Sequence, residues 1–163
     1  MRMQTVIWLF PTALTLHNLE EAVWFPAWSQ HAAFWHSPVG ASEFRIGVAI
    51  LTLMGYCVTY WSLRSGKECF GSYLLAGFAF AMLLNVIYHV AATFGLREYA
   101  AGVVTAVFIN LPVMSYLLLR MFRERWVRWP KAIPALLLVP VTLLLLIPGL
   151  LFVGRTISSL LAT

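Results

Sequence analysis

Five long apolar stretches, at about residues 3–27, 44–63, 70–95, 100–121 and 133–154, dominate this chain, and the loops between them are too short to form separate domains. A helix needs about 20 apolar residues to cross the hydrocarbon of a bilayer, so each stretch is long enough to span it once. The composition is 61% hydrophobic and 10% charged, with a mean hydropathy of +0.84. A fold that must keep a wetted surface is thereby excluded. The expected fold is all-α: a polytopic membrane bundle of five transmembrane helices forming a single domain, 1–163. The stretch from Met3 to Trp28 is too long for a cleaved signal and carries acids, so it is expected to stay in the mature protein.

The net charge of +5 is not spread along a solvated face. Arg64 and Lys67 fall in one loop, and Arg120, Arg123, Arg125, Arg128 and Lys131 in another. This asymmetry reports topology, with both basic loops and the N-terminus inside and the C-terminus outside, rather than a nucleic-acid partner. A multi-pass protein of the cell membrane, in a bacterial inner membrane, is the expectation. Trp24, Trp28 and Trp35 on one side and Trp126 and Trp129 on the other read as interfacial anchors. Cys57 and Cys69 have no metal-type spacing and predict no disulfide. The last span has no ionisable side chain before Arg155 and reads as a lipid-facing packing helix. Small residues around Gly77 and Gly102 predict close packing of the third and fourth spans.

The first span contains His17, Asn18, Leu19, Glu20 and Glu21 within otherwise apolar sequence. An ionisable group at that depth costs several kcal/mol unless it is paired, hydrated or bound to metal. Positions i+3 and i+4 flank position i on a helix, so Glu20 and Glu21 straddle the direction of His17. The third span supplies Asn85 and His89, four apart on one face, with Tyr88 beside them. A rise of about 1.5 Å per residue sets the two groups at similar depth. Asn110, Thr52 and Tyr56 are weaker candidates for a floor and a wall. His31 and His36 belong to the outer loop as solvated residues, a lid or an extension of the metal site. Glu43 and Arg45 read as an interfacial pair.

With these residues in place, the sequence resembles the HXXEE family of small integral membrane proteins. The resemblance rests on His17 to Glu21, on the Asn85 and His89 pair, and on Tyr99, Gly102 and Thr105 followed by Pro112, over about Leu9 to Pro112. Ala101 and Gly102 stand where a Pro-Gly pair is expected, which bears on the local turn rather than on the polar site. The resemblance implies a group of membrane enzymes, with metal-dependent hydrolysis among the activities it allows, and carries no substrate.

Three functional readings use these side chains. In the first, His17, Glu20 or Glu21, and His89 hold a divalent metal, zinc or iron, with His17, Glu20 and His89 as the leading set. Glu20, Glu21 and Asn85 then carry catalysis, the free glutamate as general base and Asn85 orienting ligands or donating to an oxyanion. The protein is on this reading a hydrolase of a lipid-like or amphipathic substrate, with membrane lipids as surroundings and a homo-oligomer allowed. In the second, one of two adjacent carboxylates keeps its proton and drives isomerisation or cyclisation of an isoprenoid or sterol-like lipid. Walls from Trp24, Phe25, Phe78, Phe80, Tyr88 and Phe94 would stabilise a carbocation. In the third, the same groups form the relay of a proton-linked transporter or sensor.

Overall fold

The computed structural model describes residues 2–161; Met1, Ala162 and Thr163, the ends of the expected 1–163 domain, lie outside the described residues. The chain is helical in the order α1 (Met3–Ile7), α2 (Leu9–Ser29), α3 (Ala41–Ser65), α4 (Phe70–Leu96), α5 (Val103–Thr105), a π-helical segment (Ala106–Asn110), α6 (Leu111–Arg123) and α7 (Trp129–Leu161). Among the described residues there is no strand. The helices Ala41–Ser65, Phe70–Leu96, Val103–Arg123 and Trp129–Leu161 are long and apolar enough to cross a membrane. Helix α2 has the length, at 21 residues, but His17, Asn18, Glu20 and Glu21 lower its hydropathy. The expected all-helical bundle is thus present, with four helices apolar enough to cross a membrane where five spans were expected, and the polar cluster lies on the remaining long helix.

Prolines explain where the helices bend. Pro11 has no N–H to offer the Ile7 carbonyl, and the chain breaks between α1 and α2 at that point. Pro26 likewise cannot bond Ala22, and the freed Ala22 oxygen accepts instead from Arg45 Nε at 3.0 Å. Arg45 is therefore not paired with Glu43, contrary to expectation. Glu43 Oε2 accepts from Arg155 Nε of α7 at 2.8 Å, and its Oε1 caps α3 through the Gly40 N–H. Pro112 withholds a donor from Phe108, and the turn before it widens so that the Leu111 N–H reaches Ala106 O, five residues back.

The core at one end of the bundle joins Ile7, Phe10 and Leu14 of the first two helices to Leu75 and Phe78 of α4 and Met114, Leu117 and Met121 of α6. A second cluster, around Phe25, Trp28, Phe44, Ala92 and Ala100, lies under the 30–40 segment. Helix α4 contacts α6 and the π segment, as expected from its small residues, but its tightest approach is to α7. A Cβ on Gly77 would meet Ala135 O at 2.5 Å. Gly47 of α3 likewise rests on the Leu150 backbone, and Gly154 of α7 on that of Glu43. The last helix is therefore clamped to α3 and α4 by one face, which walls the interior, while the rest of it is exposed on the flank as expected of a lipid-facing packing helix. Trp24 and Trp129 are exposed as anchors should be, whereas Trp28 and Trp126 are buried in protein and serve packing.

Candidate metal centre

One turn separates His17 from Glu21 on α2, and the two side chains share the face turned to α4. Glu21 Oε1 lies 3.7 Å from His17 Nε2 and 3.2 Å from His89 Nε2. The two imidazoles meet edge to face, 5.1 Å between centroids. His17 and His89 are almost fully buried, at 1% and 0% exposure. Buried polar atoms ordinarily find a hydrogen bond. Here His17 Nε2 and both ring nitrogens of His89 have none, and Glu21 Oε1 is the acidic atom nearest to both rings.

That donor set can be tested against a metal. Zinc bonds of about 2.0–2.1 Å at tetrahedral angles put neighbouring donor atoms about 3.3 Å apart. One donor atom from each of His17, Glu21 and His89 lies within 4.8 Å of the others, and the two measured separations bracket that value. Two imidazoles and one carboxylate suit zinc or non-haem iron and leave further positions open. The residues fit a divalent cation.

Glu20, expected among the ligands, is engaged elsewhere. Its Oε2 accepts from the Thr105 N–H at 2.7 Å and the Thr105 hydroxyl at 2.5 Å, and its Oε1 from the Tyr99 hydroxyl. The structure thus exchanges the two adjacent acids, because Glu20 points to the chain following α4 and Glu21 to the histidines. With the Thr105 proton directed at a carboxylate, the stronger acceptor, Thr105 Oγ1 is left to accept from His17 Nδ1, 2.9 Å away. This assigns the His17 proton to Nδ1 and turns the lone pair of Nε2 toward Glu21 and His89. Metal-binding histidines are ordinarily oriented through such a partner on the other ring nitrogen. Tyr99 lies in the turn between α4 and α5; partial burial, and then the carboxylate it faces, push its pKa up to about 12.

The turn itself roofs the site. Arg97 ends α4 in the left-handed region at φ 55°, and Gly102 opens α5 at φ 93°. A Cβ on Gly102 would meet His89 Cε1 at 2.7 Å, Glu21 Cγ at 3.0 Å and His17 Cε1 at 3.1 Å. The chain passes directly over the three side chains, and the turn forms with Ala101 in place of proline.

Beneath the triad a cavity of about 670 Å³ runs between α2, α3, α4 and α7. His17, Glu21 and Asn85 supply its polar end, and Phe25, Phe44, Phe78 and the α7 stretch Pro140–Leu151 its apolar length. Asn85 Oδ1 is buried without a hydrogen bond. Asn18 ties the α2 wall to α3 through Thr52 Oγ1 at 2.7 Å and Val48 O at 3.3 Å. Of the expected aromatic walls, Phe25, Phe78 and Tyr88 line the cavity, while Trp24 and Phe94 face outward. Tyr56 turns to Thr15 and Trp8, outside the cavity. Asn110 is fully buried in the π segment and does not form the floor expected of it.

The 30–40 segment covers one end. Tyr88 donates to Trp35 O at 3.2 Å, Gly95 receives the Trp35 ring, and His36 stands edge-on to Phe25. His36 lines the cavity without joining the triad, and His31 pairs with Glu98 at 3.1 Å on the surface. Glu43, held by Arg155, takes no part in the metal-type group.

The profile of the HXXEE family, described as a protein of unknown function with HXXEE motif, matches residues 8–117. The chain belongs to that family. It is also 35% identical over 150 residues to the uncharacterized protein YrkK of Bacillus subtilis, covering 91% of this chain and 95% of the relative. No solved structure matches it. The letters that name the family are His17, Glu20 and Glu21 here, and the geometry gives the two glutamates different tasks.

Proposed function

We propose that this protein is a metal-dependent hydrolase acting on a lipid-like substrate within the membrane. The observation that carries the reading is the convergence of His17 Nε2, Glu21 Oε1 and His89 Nε2, with His17 and Glu21 also lining an apolar cavity. A bound zinc or iron would supply Lewis acidity and bring the ionisation of water near neutrality. The chain's own residues do the rest. Glu20 and Thr105 hold the His17 ring in its binding tautomer, Asn85 presents an uncommitted amide oxygen to whatever occupies the polar end, and the apolar walls exclude bulk water. Glu20 is on this reading a positioning residue rather than the general base. The basic loops support an orientation with the N-terminus inside, which sets the site in the outer half of a bacterial inner membrane.

Acid–base isomerisation is less well supported, because Glu20 accepts from three donors and has no proton turned toward the cavity. The test is metal analysis and ester hydrolysis on protein reconstituted in vesicles. About one zinc or iron per chain is expected in the wild type, with metal and turnover lost together in His17→Ala and His89→Ala. Turnover by a metal-free preparation would defeat the proposal, as would proton-coupled flux without lipid conversion.

A further inference from the structure

Resting on the hydrolase reading, we infer that the substrate is an uncharged amphiphile with a single hydrocarbon chain, an ester or amide entering sideways from the bilayer. The cavity has a lateral mouth. Leu84 of α4 and Val141 and Leu144 of α7 line it and are at the same time exposed on the flank of the bundle, where lipid tails lie. The opposite, polar end is closed by the Gly102 roof and the buried histidines. A ligand admitted through that mouth arrives from hydrocarbon, with its chain along α7 and its head against His17, Glu21 and Asn85. The α7 stretch from Pro140 to Leu151 extends about 16 Å, at 1.5 Å per residue.

Volume selects the number of chains. At about 30 Å³ per heavy atom, the share of a molecule in liquid water, 670 Å³ holds about 22 atoms. A two-chain glycerophospholipid has roughly twice that number or more, so the cavity holds one chain with its head and a second chain would have to stay outside the mouth.

Charge selects the head. The ionisable side chains lining the cavity are His17, Glu21, His36 and Tyr88, with no lysine or arginine among them. Glu20 and Glu21 together balance a divalent cation, so the loaded site has no surplus positive charge to hold a phosphate or carboxylate. In the reaction one water adds to the carbonyl carbon, the bond from that carbon to the alcohol oxygen or amide nitrogen breaks, and the departing heteroatom takes the proton. The acid product gives its own proton to water on release, and as an anion it meets no lysine or arginine in the cavity.

The test uses the full chain in dioleoyl phosphatidylcholine vesicles, with hexadecyl acetate bearing a mid-chain diazirine as the probe. Illumination followed by peptide mass spectrometry is expected to place label on the cavity side of α4, near Ala81, and on α7 near Leu144. Unlabelled hexadecyl acetate should suppress it at least fivefold, whereas palmitate at alkaline pH should not. Ala81→Phe, which fills the cavity, should cut the labelling as strongly; Ala81→Leu serves if the larger residue prevents folding. Gly149→Phe is a bulky control, since a Cβ there meets nothing within 4 Å. Label confined to outward residues such as Leu137 and Leu145, or equal competition by palmitate, would overturn the inference. The wild type separates the two readings: cavity labelling in a wild-type protein that holds no metal sinks the hydrolase alone, and metal-dependent turnover without cavity labelling sinks the single-chain substrate alone.

Discussion

Replacing Gly102 by alanine tests the site through its roof. Two separate costs can be assigned. At φ 93° an L side chain is strained, which costs about 1–3 kcal/mol. The new methyl also meets His89 Cε1 at 2.7 Å, Glu21 Cγ at 3.0 Å and His17 Cε1 at 3.1 Å. Overfilling a packed interior adds about 1–3 kcal/mol more, unless the neighbours move. Those neighbours are the proposed ligands, so relief comes only by spreading them. Gly66→Ala is a control for strain without contact at the site: Gly66, at φ 80° and ψ −155°, is also a position that disfavours an L side chain, and a Cβ there meets nothing within 4 Å. Thermal unfolding and metal titration on both variants give the comparison. Gly102→Ala is expected to lose about 2–6 kcal/mol from the two costs together and to bind zinc at least about tenfold more weakly, while Gly66→Ala binds it like the wild type. Unchanged metal binding in Gly102→Ala would refute the placement of the turn over the triad.

Glu20→Gln and Thr105→Val should each weaken metal binding by about 10–100-fold without abolishing it, because they release the His17 tautomer and leave all three donors in place; abolition by Glu20→Gln would make that residue a ligand after all. Tyr99 should titrate near pH 12 in an absorbance titration that compares wild type with Tyr99→Phe. Since burial, and then Glu20, hold its folded pKa above the ordinary value of about 10, the stability linked to its neutral form is complete below pH 10 and is lost as pH rises toward 12. Gly77→Ala should drive α7 away from α4, costing about 1–3 kcal/mol in thermal unfolding, because the new methyl meets the Ala135 carbonyl rather than a side chain that can turn aside.

The site was legible in the sequence to the extent that solvation dictates it. Hydrocarbon is a poor host for imidazole and carboxylate, so His17, Glu20, Glu21, Asn85 and His89 announced a shared interior from spacing alone. The division of labour between Glu20 and Glu21 was not legible. They sit on either side of His17 by equivalent angles, and the choice is made by Tyr99 and Thr105, some 80 residues farther along the chain. Those two residues were marked only by the family resemblance, which attached no partner to them. The role of α7 was hidden for another reason: a helix rich in leucine reads the same whether it faces lipid or walls a cavity, and only Gly47, Gly77 and Gly154 hold the signal, spread over three helices. The pairing of Arg45 with Ala22 was implicit in Pro26, since a missing N–H frees one particular carbonyl, but which donor takes it depends on the fold.

Helix α2 carries the polar cluster and is the one long helix whose hydropathy does not support a crossing by itself. Its partners come afterwards: His89 from α4, and Thr105 from just before the π segment. During synthesis the first long helix to emerge is therefore the last to become comfortable in the bilayer, and a chain halted before residue 99 leaves Glu20 without either of its side-chain donors. Assembly of the centre and secure lodging of its N-terminal half are then one event, governed by the arrival of the turn that carries Tyr99, Gly102 and Thr105.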